Sequence, residues 1–286
     1  MTTGDSRVAD LNSYFANIYE DAVFVAREQN IATRLVRVFT DGNGDQTRTL
    51  TTYPTITPVS VAETDDFALP TRMDKNALAT LTPGEIMAQV ILTDRRIETD
   101  PQNARQDAAT ELGAGAATKI DSDILGNFNA LTGGTVGASG TTMIWGYLYA
   151  AMSILRKNSV PRPYYCVLHP YQWHDLGKAA SVAGSSVVNA PQFQDEVMRS
   201  FWVSNVGGLD GIYVSANCEV SGTDAYGAVF NPAAIAFDIR RDLRLEPERD
   251  ASKRAWELNL TALYAHGVWR PTYGVQILTD ITTPTS

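Results

Sequence analysis

The chain has 286 residues, 44% hydrophobic and 19% charged, which is enough apolar material for a real core in one elaborated domain or two intertwined lobes. A formal net charge of −9 argues against a nucleic-acid grip, which needs excess positive charge to displace counterions. No apolar run approaches the roughly 20 residues that span a bilayer, and no basic-then-apolar leader opens the chain, so a cytosolic protein without a membrane segment is expected.

In chain order, "RVADLNSYFANIYEDAVFVAREQ" places Leu11, Tyr14, Phe15, Ile18, Ala22 and Val25 on one side of a helix, a stripe that must lie on something. "LVRVFTDGNGDQTRTLTTY" predicts two strands joined as a hairpin through a Gly/Asn/Asp turn. The following stretch, "PTITPVSVAETDDFALPTRMDKNALATLTPG", carries few large apolar residues and predicts a long loop or two-stranded arm supported by a neighbour. "GEIMAQVILTDRRIE" predicts a strand with Ile86, Ala88, Val90 and Leu92 on one face. A long helix then opens near Asp100 and Pro101, with Ala104, Ala108, Leu112, Ala116, Ile120, Ile124 and Phe128 at every fourth position.

"LTGGTVGASGTT" reads as a break between lobes. Beyond it lie a buried-looking helix in "TTMIWGYLYAAMSILRKN", a strand in "PYYCVL", a helix in "HPYQWHDLGKA" and a loop in "SVAGSSVVNAP". "DGIYVSANC" and "AYGAVFNPAAIAFDI" add short strands, completing an α+β lobe. "RAWELNLTALYAHGVWRP" predicts a long strand with Trp256, Leu258, Leu260, Ala262 and Tyr264 facing one way and Glu257, Asn259 and Thr261 the other; "YGVQILTDI" is one more strand.

The chemistry-bearing residues form no familiar site. "DGNGDQ" starts with the ligand spacing of a calcium loop, but Gln46 and Thr52 occupy the places of its glycine and final glutamate, so a turn is expected. The glycines after the long helix lack a phosphate-binding lysine and a preceding strand, and no Gly-x-Ser-x-Gly occurs. His169 and His174 are spaced five apart, which does not put two metal ligands on one helical face. Cys166 and Cys218 make no disulfide framework, and Cys166, inside an apolar strand, reads as a buried thiol.

The densest charge is "FDIRRDLRLEPERD", residues 237–250. Interleaved arginines lower the pKa of its carboxylates, the wrong direction for a general acid, and four arginines against five carboxylates leave no excess for phosphate. Strict alternation puts Arg240, Asp242, Arg244 and Glu246 on one face, with Ile239, Leu243 and Leu245 on the other and Arg241 among them. The expected role is either a solvated face or a contact strip for a neighbouring subunit.

The order of parts, together with "PYYCVLHPYQWHDL" and "VFNPAAIAFDIRRDLRLEPERDASKRAWELNLTALYAHGVWRP", resembles the tailed-bacteriophage major capsid proteins of the Hong Kong 97-like fold. That resemblance implies an α+β chain with an N-arm at 1–33, an extended E-loop and adjoining P-domain strands at 34–98, and a spine helix at 99–131. It further implies an A-domain at 132–225 and strands returning through both domains at 226–286. The implied function is structural: hexamers and pentamers of identical chains closing into an icosahedral virion shell, assembled in the host cytoplasm around double-stranded DNA bound without sequence specificity. Separate scaffolding, portal and decoration proteins are further expected partners. No catalytic residue, cofactor or metal is expected. The candidate contact residues are Tyr14, Phe15 and Ile18 in the arm, Phe67 and Leu69 in the extended loop, and the strip Arg240, Asp242, Arg244 and Glu246. The competing readings are an encapsulin-like nanocompartment shell, which would hold cargo enzyme instead of DNA, and a soluble α+β enzyme whose site the sequence does not reveal.

Overall fold

The stripe of every-fourth residues becomes one face of the longest helix among the described residues. In the computed structural model, which describes residues 30–54, 56–61, 63, 72–99, 104–181 and 208–284, this helix runs Ala104–Leu125 and continues as a 3-10 turn, Gly126–Ala130. We label it α2; a short helix, α1 (Asp94–Thr99), precedes it. Ala108, Leu112, Ala116, Ile120, Ile124 and Phe128 are all buried, and Ala109, Ala117 and Leu125 widen the face to follow the drift of a four-residue repeat around a 3.6-residue helix.

That face covers a four-stranded sheet in the order β1 (Arg37–Phe39), β10 (Ile235–Asp250), β11 (Ala255–Val268) and β4 (Gly84–Thr93). Ile86, Ala88, Val90 and Leu92 of β4 turn toward the helix, as do Leu258, Leu260, Ala262 and Tyr264 of β11, and their clean alternation reflects a sheet buried on one side. The strand ends earlier than the expected run through Glu98. At Thr93 the backbone turns into α1, where Thr93 Oγ1 accepts from Arg96 N at 3.3 Å and Asp94 occupies the first turn.

A second sheet, of six strands, is ordered β5 (Thr135–Gly137), β12 (Gly274–Asp280), β9 (Asp224–Phe230), β6 (Tyr165–Leu168) and β7 (Gly211–Val214), with β8 (Val220–Ser221) pairing with β9. Helices α3 (Trp145–Lys157) and α4 (Pro170–Ser181) accompany it. Cys166, Leu168, Val229, Val275 and Ile277 pack with Trp145, Leu148, Met152, Leu155 and Leu176, whereas Val167, Ala228 and Phe230 pack on the opposite side with the core of α2. Because both faces of β6 and β9 are covered, "YCVL" and "AVF" are continuously apolar. The two sheets share chain at two adjacent crossings, where Asn231 N donates to Tyr273 O at 3.0 Å and Trp269 N to Ala234 O at 2.8 Å. Asn231 caps the first crossing and also donates through Nδ2 to Pro161 O and Pro163 O.

Two expectations are corrected here. β1 and β2 (Arg48–Thr52) do not pair as a hairpin: β1 adds in parallel to β10, and β2 pairs antiparallel with β3 (Asn76–Leu81) in a separate two-stranded arm. The intervening loop spans residues 40–47 and is held by the Asp41–Arg48 ion pair instead of closing as a tight turn. The glycine-rich break after α2 is likewise a packed element, since β5 pairs in parallel with β12. Gly133 N donates to Pro271 O and Gly274 O, both at 3.0 Å, and a Cβ there would overlap the carbonyl oxygens of Gly274 and Thr272, which is why glycine is needed at this close backbone approach. The N-terminal helix expected before residue 30 and the loop expected at "SVAGSSVVNAP" lie outside the described residues, apart from Ser181, the last residue of α4.

One buried carboxylate fastens the parts together. Asp121, on the buried side of α2, accepts from the backbone of Ile31 (3.1 Å) and Ala32 (2.8 Å) through Oδ1, and from Ser215 Oγ (3.0 Å) and Asn217 Nδ2 (3.1 Å) through Oδ2. It thus joins the start of the described chain, the long helix and the loop that follows β7.

Candidate subunit-contact surface

Two irregularities in the β10–β11 ladder decide which charges share a face. Between Ile239 and Arg241, and again between Arg241 and Arg244, β10 carries an extra residue relative to β11: Ile239 pairs with Tyr264, Arg241 with Leu263 and Arg244 with Thr261. Thr261 and Leu263 lie on one face of β11, so Arg241, Arg244, Glu246 and Glu248 share the outer face of the sheet. The uninterrupted alternation expected for Arg240, Asp242, Arg244 and Glu246 is therefore corrected. Asp242 is exposed beside a groove of about 260 Å³ that Leu243, Phe237, Ile120 and Tyr264 also line. Arg240 points into the subunit, its side chain 4% exposed and its Nη2 2.8 Å from Asp238.

The outer face is a lattice of ion pairs and apolar residues. Arg244 pairs with Glu246 at 3.0 Å, Arg241 pairs with Glu85 across β11, and Gln89 Nε2 donates to Glu257 at 3.2 Å. Met87, opposite Thr261, and Ile91, opposite Glu257, stand exposed among these charges. At the end of the sheet Arg249 makes a two-pronged contact with Asp94, both bonds 2.7 Å, and lies over the Trp256 ring. Exposed pairs of this kind contribute ~0–1 kcal/mol each to folding.

Three carboxylates, Asp41, Asp94 and Asp250, are held in their charged form by hydrogen bonds. Hydrogen bonds from Arg249 and Arg48 keep Asp94 and Asp41 below the usual carboxylate range. The Ser252 hydroxyl and the turn backbone hold Asp250 down at about 2. His169 Nδ1 accepts from Tyr171 N at 3.2 Å, and His266 lies 3.0 Å from the Asn127 amide. Burial shifts both histidines downward. Among the described residues no group of three or more His, Cys, Asp or Glu is placed to hold a metal ion.

Both cysteines are free and buried, and burial pushes both thiols up, Cys218 to about 12 with Asp121 adding to the effect. An unfolded thiol ionises near ~8.5, so this contribution to stability is complete below that pH and is lost as pH rises from there toward about 12. A Cys166→Ala/Cys218→Ala chain is expected to show a flatter fall of unfolding temperature across that interval than the natural chain. In thiol labelling at pH 8, the natural chain should react only when denaturant is present; rapid labelling of the folded chain would contradict the burial.

The arm carries a second candidate surface. Tyr53, Ile56, Val59, Val61 and Met73 are each more than half exposed, and Leu78 on β3 is also exposed. Tyr14, Phe15, Ile18, Phe67 and Leu69 lie outside the described residues.

A profile of the family described as phage capsid protein matches residues 88–277, well over half of the chain. The chain belongs to this phage capsid protein family. It is a structural major capsid protein of the tailed-phage type with the Hong Kong 97-like fold, a multimeric shell component of the virion. Sequence comparison with curated proteins finds no match. Among solved structures, a chain in the capsid structure of cyanophage P-SCSP1u aligns with a TM-score of 0.67 at 15% identity, covering 88% of this chain and 89% of that one. A chain from Mycobacterium phage Che8 aligns at 0.66 and 19% identity over 87% and 90%. A chain of a virus-like particle from Pyrococcus furiosus aligns at 0.58 and 13% identity over 92% and 99%. At these identities the likeness is one of fold.

The signal for the corrected face was partly present in the sequence. Arg241 is out of place among Ile239, Leu243 and Leu245, and a charged residue interrupting an apolar face is what a bulge resolves. The pairing of Arg48 with Asp238 had no such signal.

Proposed function

We infer that copies of this capsid protein assemble in the host cytoplasm as hexamers and pentamers of a closed icosahedral shell around double-stranded DNA. In this reading residues 34–98 supply the extended loop and adjoining P-domain strands, α2 the spine of the P-domain, and the second sheet with α3 and α4 the A-domain. The observation that carries it is the arm, whose run of exposed apolar side chains has no counterpart to bury it on the described part of its own subunit. Apolar surface of that kind is stabilised when a neighbour covers it. The outer face of β4, β11 and β10 is a second contact, where Arg244 and Glu246 would exchange partners between copies. Many weak contacts in a closed shell add through linkage, while each alone lets a misplaced subunit leave. A net charge of −9 disfavours adhesion of DNA to the wall, which fits packaging without sequence recognition.

Negative-stain electron microscopy with sedimentation of the purified chain, alone and co-expressed with neighbouring viral genes, tests the proposal. Closed particles with five- and six-fold clusters are expected. Monomers or dimers under every condition would sink it, and particles holding a co-purified enzyme instead of DNA would replace the virion assignment with a cargo shell. On the same material, Arg244→Glu is expected to lower particle yield by about tenfold or more while shifting the subunit's unfolding temperature by less than about 2 °C, as for a surface substitution. An equal loss of folding stability would remove Arg244 from the contact.

A further inference from the structure

The two-stranded arm meets the body at two different kinds of contact. The first is apolar: Leu50 of β2 and Leu81 of β3 pack on Ala236 and Ala265, with Phe39 and Trp269 alongside. Apolar contact is non-directional, so it gives adhesion with little preference for one angle. The second contact is directional. Asp238, wholly buried in β10, accepts from Arg48 Nε at 2.8 Å and Nη2 at 3.4 Å, and its Oδ2 also lies 2.8 Å from Arg240 Nη2. Arg48 opens β2, so this carboxylate grips the arm at its root. The same guanidinium donates to Asp41 at 2.6 Å and lies over the Phe39 ring at 4.9 Å, leaving it one position.

Desolvation cancels much of the attraction in a buried ion cluster, so its presence is better explained by the geometry it imposes than by added stability. The loop before β2 closes over it. The Gly42 backbone lies so near the Arg240 guanidinium that a Cβ would overlap it, Arg240 Nη1 reaches Asn43 O at 3.4 Å, and Gly44 takes the left-handed turn, φ 56°. Asp238 and Asp41 balance Arg48 and Arg240 in charge, with Asp238 and Arg240 buried and Asp41 at the exposed rim.

The geometry points to a latch: Asp238, clamped between Arg48 and Arg240, fixes the angle at which the two-stranded arm leaves the body sheet, and breaking it frees the arm to move while both sheets stay folded. Arg240 thereby acts inside the subunit as part of this latch. The latch is a property of the single chain and stands apart from whether a shell forms.

Amide hydrogen exchange of the full-length subunit reads it directly. Asp238→Asn keeps the side-chain shape but presents only one acceptor oxygen to the two guanidiniums. Exchange in Arg48–Thr52 and Asn76–Leu81 is expected to accelerate by about tenfold or more, with β11 amides changing by less than about twofold, the signature of local opening. Acceleration of β11 to the same extent would mean that Asp238 only stabilises the fold, and unchanged arm exchange would mean that the apolar contact alone sets the arm; either overturns the latch. Two milder variants decide the matter if Asp238→Asn does not fold. Arg48→Lys keeps the charge and loses the fork, and Gly42→Ala presses on Arg240 from outside. Both are expected to loosen the arm selectively, to a smaller extent, and arm protection equal to the natural chain in both overturns the proposal.

Discussion

Replacing Asp121 by alanine is expected to lower the unfolding temperature of the isolated subunit by roughly 6–15 °C. The carboxylate is 1% exposed and accepts four hydrogen bonds, two from backbone N–H groups at residues 31 and 32 and two from the Ser215 and Asn217 side chains. Alanine removes the acceptor of all four donors, and a buried polar group stripped of its partner costs ~1–3 kcal/mol. Partial access of water to residues 31 and 217, both partly exposed, reduces the sum, so ~3–5 kcal/mol is expected overall. Asp121→Asn should cost about half as much. Its oxygen can still serve Ile31 and Ala32, while the Ser215 hydroxyl can rotate to accept from the new amide, leaving Asn217 as the unsatisfied donor. Thermal unfolding followed by circular dichroism separates the three chains. A shift below about 2 °C for the alanine variant would show that Asp121 does not hold these parts together.

Phe128→Ala is expected to cost ~3–5 kcal/mol, read as a lower urea midpoint at unchanged slope. Phe128 is wholly buried in the 3-10 turn at the end of α2, and its ring centroid lies 5.3 Å from that of Phe230. Phe230 ends β9 of the second sheet yet packs in the core of the first, so this ring pair fills the seam between the two sheets. Truncation opens a cavity where the chain crosses from one sheet to the other, and neighbouring backbone is fixed there by Asn231 and by the Thr132 and Gly133 bonds to Pro271 O. Phe128→Leu retains most of the volume and should lose under half as much. A midpoint unchanged in Phe128→Ala would mean that the seam closes by relaxation, and a changed slope would point instead to an altered unfolded or native ensemble.

Much of this fold is legible because its signals are local. The every-fourth stripe from Ala108 to Phe128, the alternation of Ile86 to Leu92, the long pattern from Trp256 to Tyr264 and the helix opening at Pro170 each depend on neighbours within a few positions. The family resemblance rested on the stretches around Tyr164 to Leu176 and Val229 to Pro271, and the matched profile spans both. The end of β4 was less legible, because helix formation at Asp94 coincides with its pairing to Arg249, a residue distant in sequence.

Local pattern in the sequence was enough for the fold class, for every described α-helix except α1 and for most of the described strands, because each of these signals depends on neighbours a few positions apart. Which charges face outward was settled in the tertiary structure, with Arg241 among apolar neighbours as the one local hint. Strand parity survives only while the ladder is regular, and the two extra residues in β10 arise from its fit to β11. They move Arg241 to the outer face beside Arg244, while Arg240 turns inward to Asp238. Tertiary structure also decided the partner of Arg48, because Asp238 lies 190 positions away and only the parallel addition of β1 to β10 brings the root of the arm to that buried carboxylate.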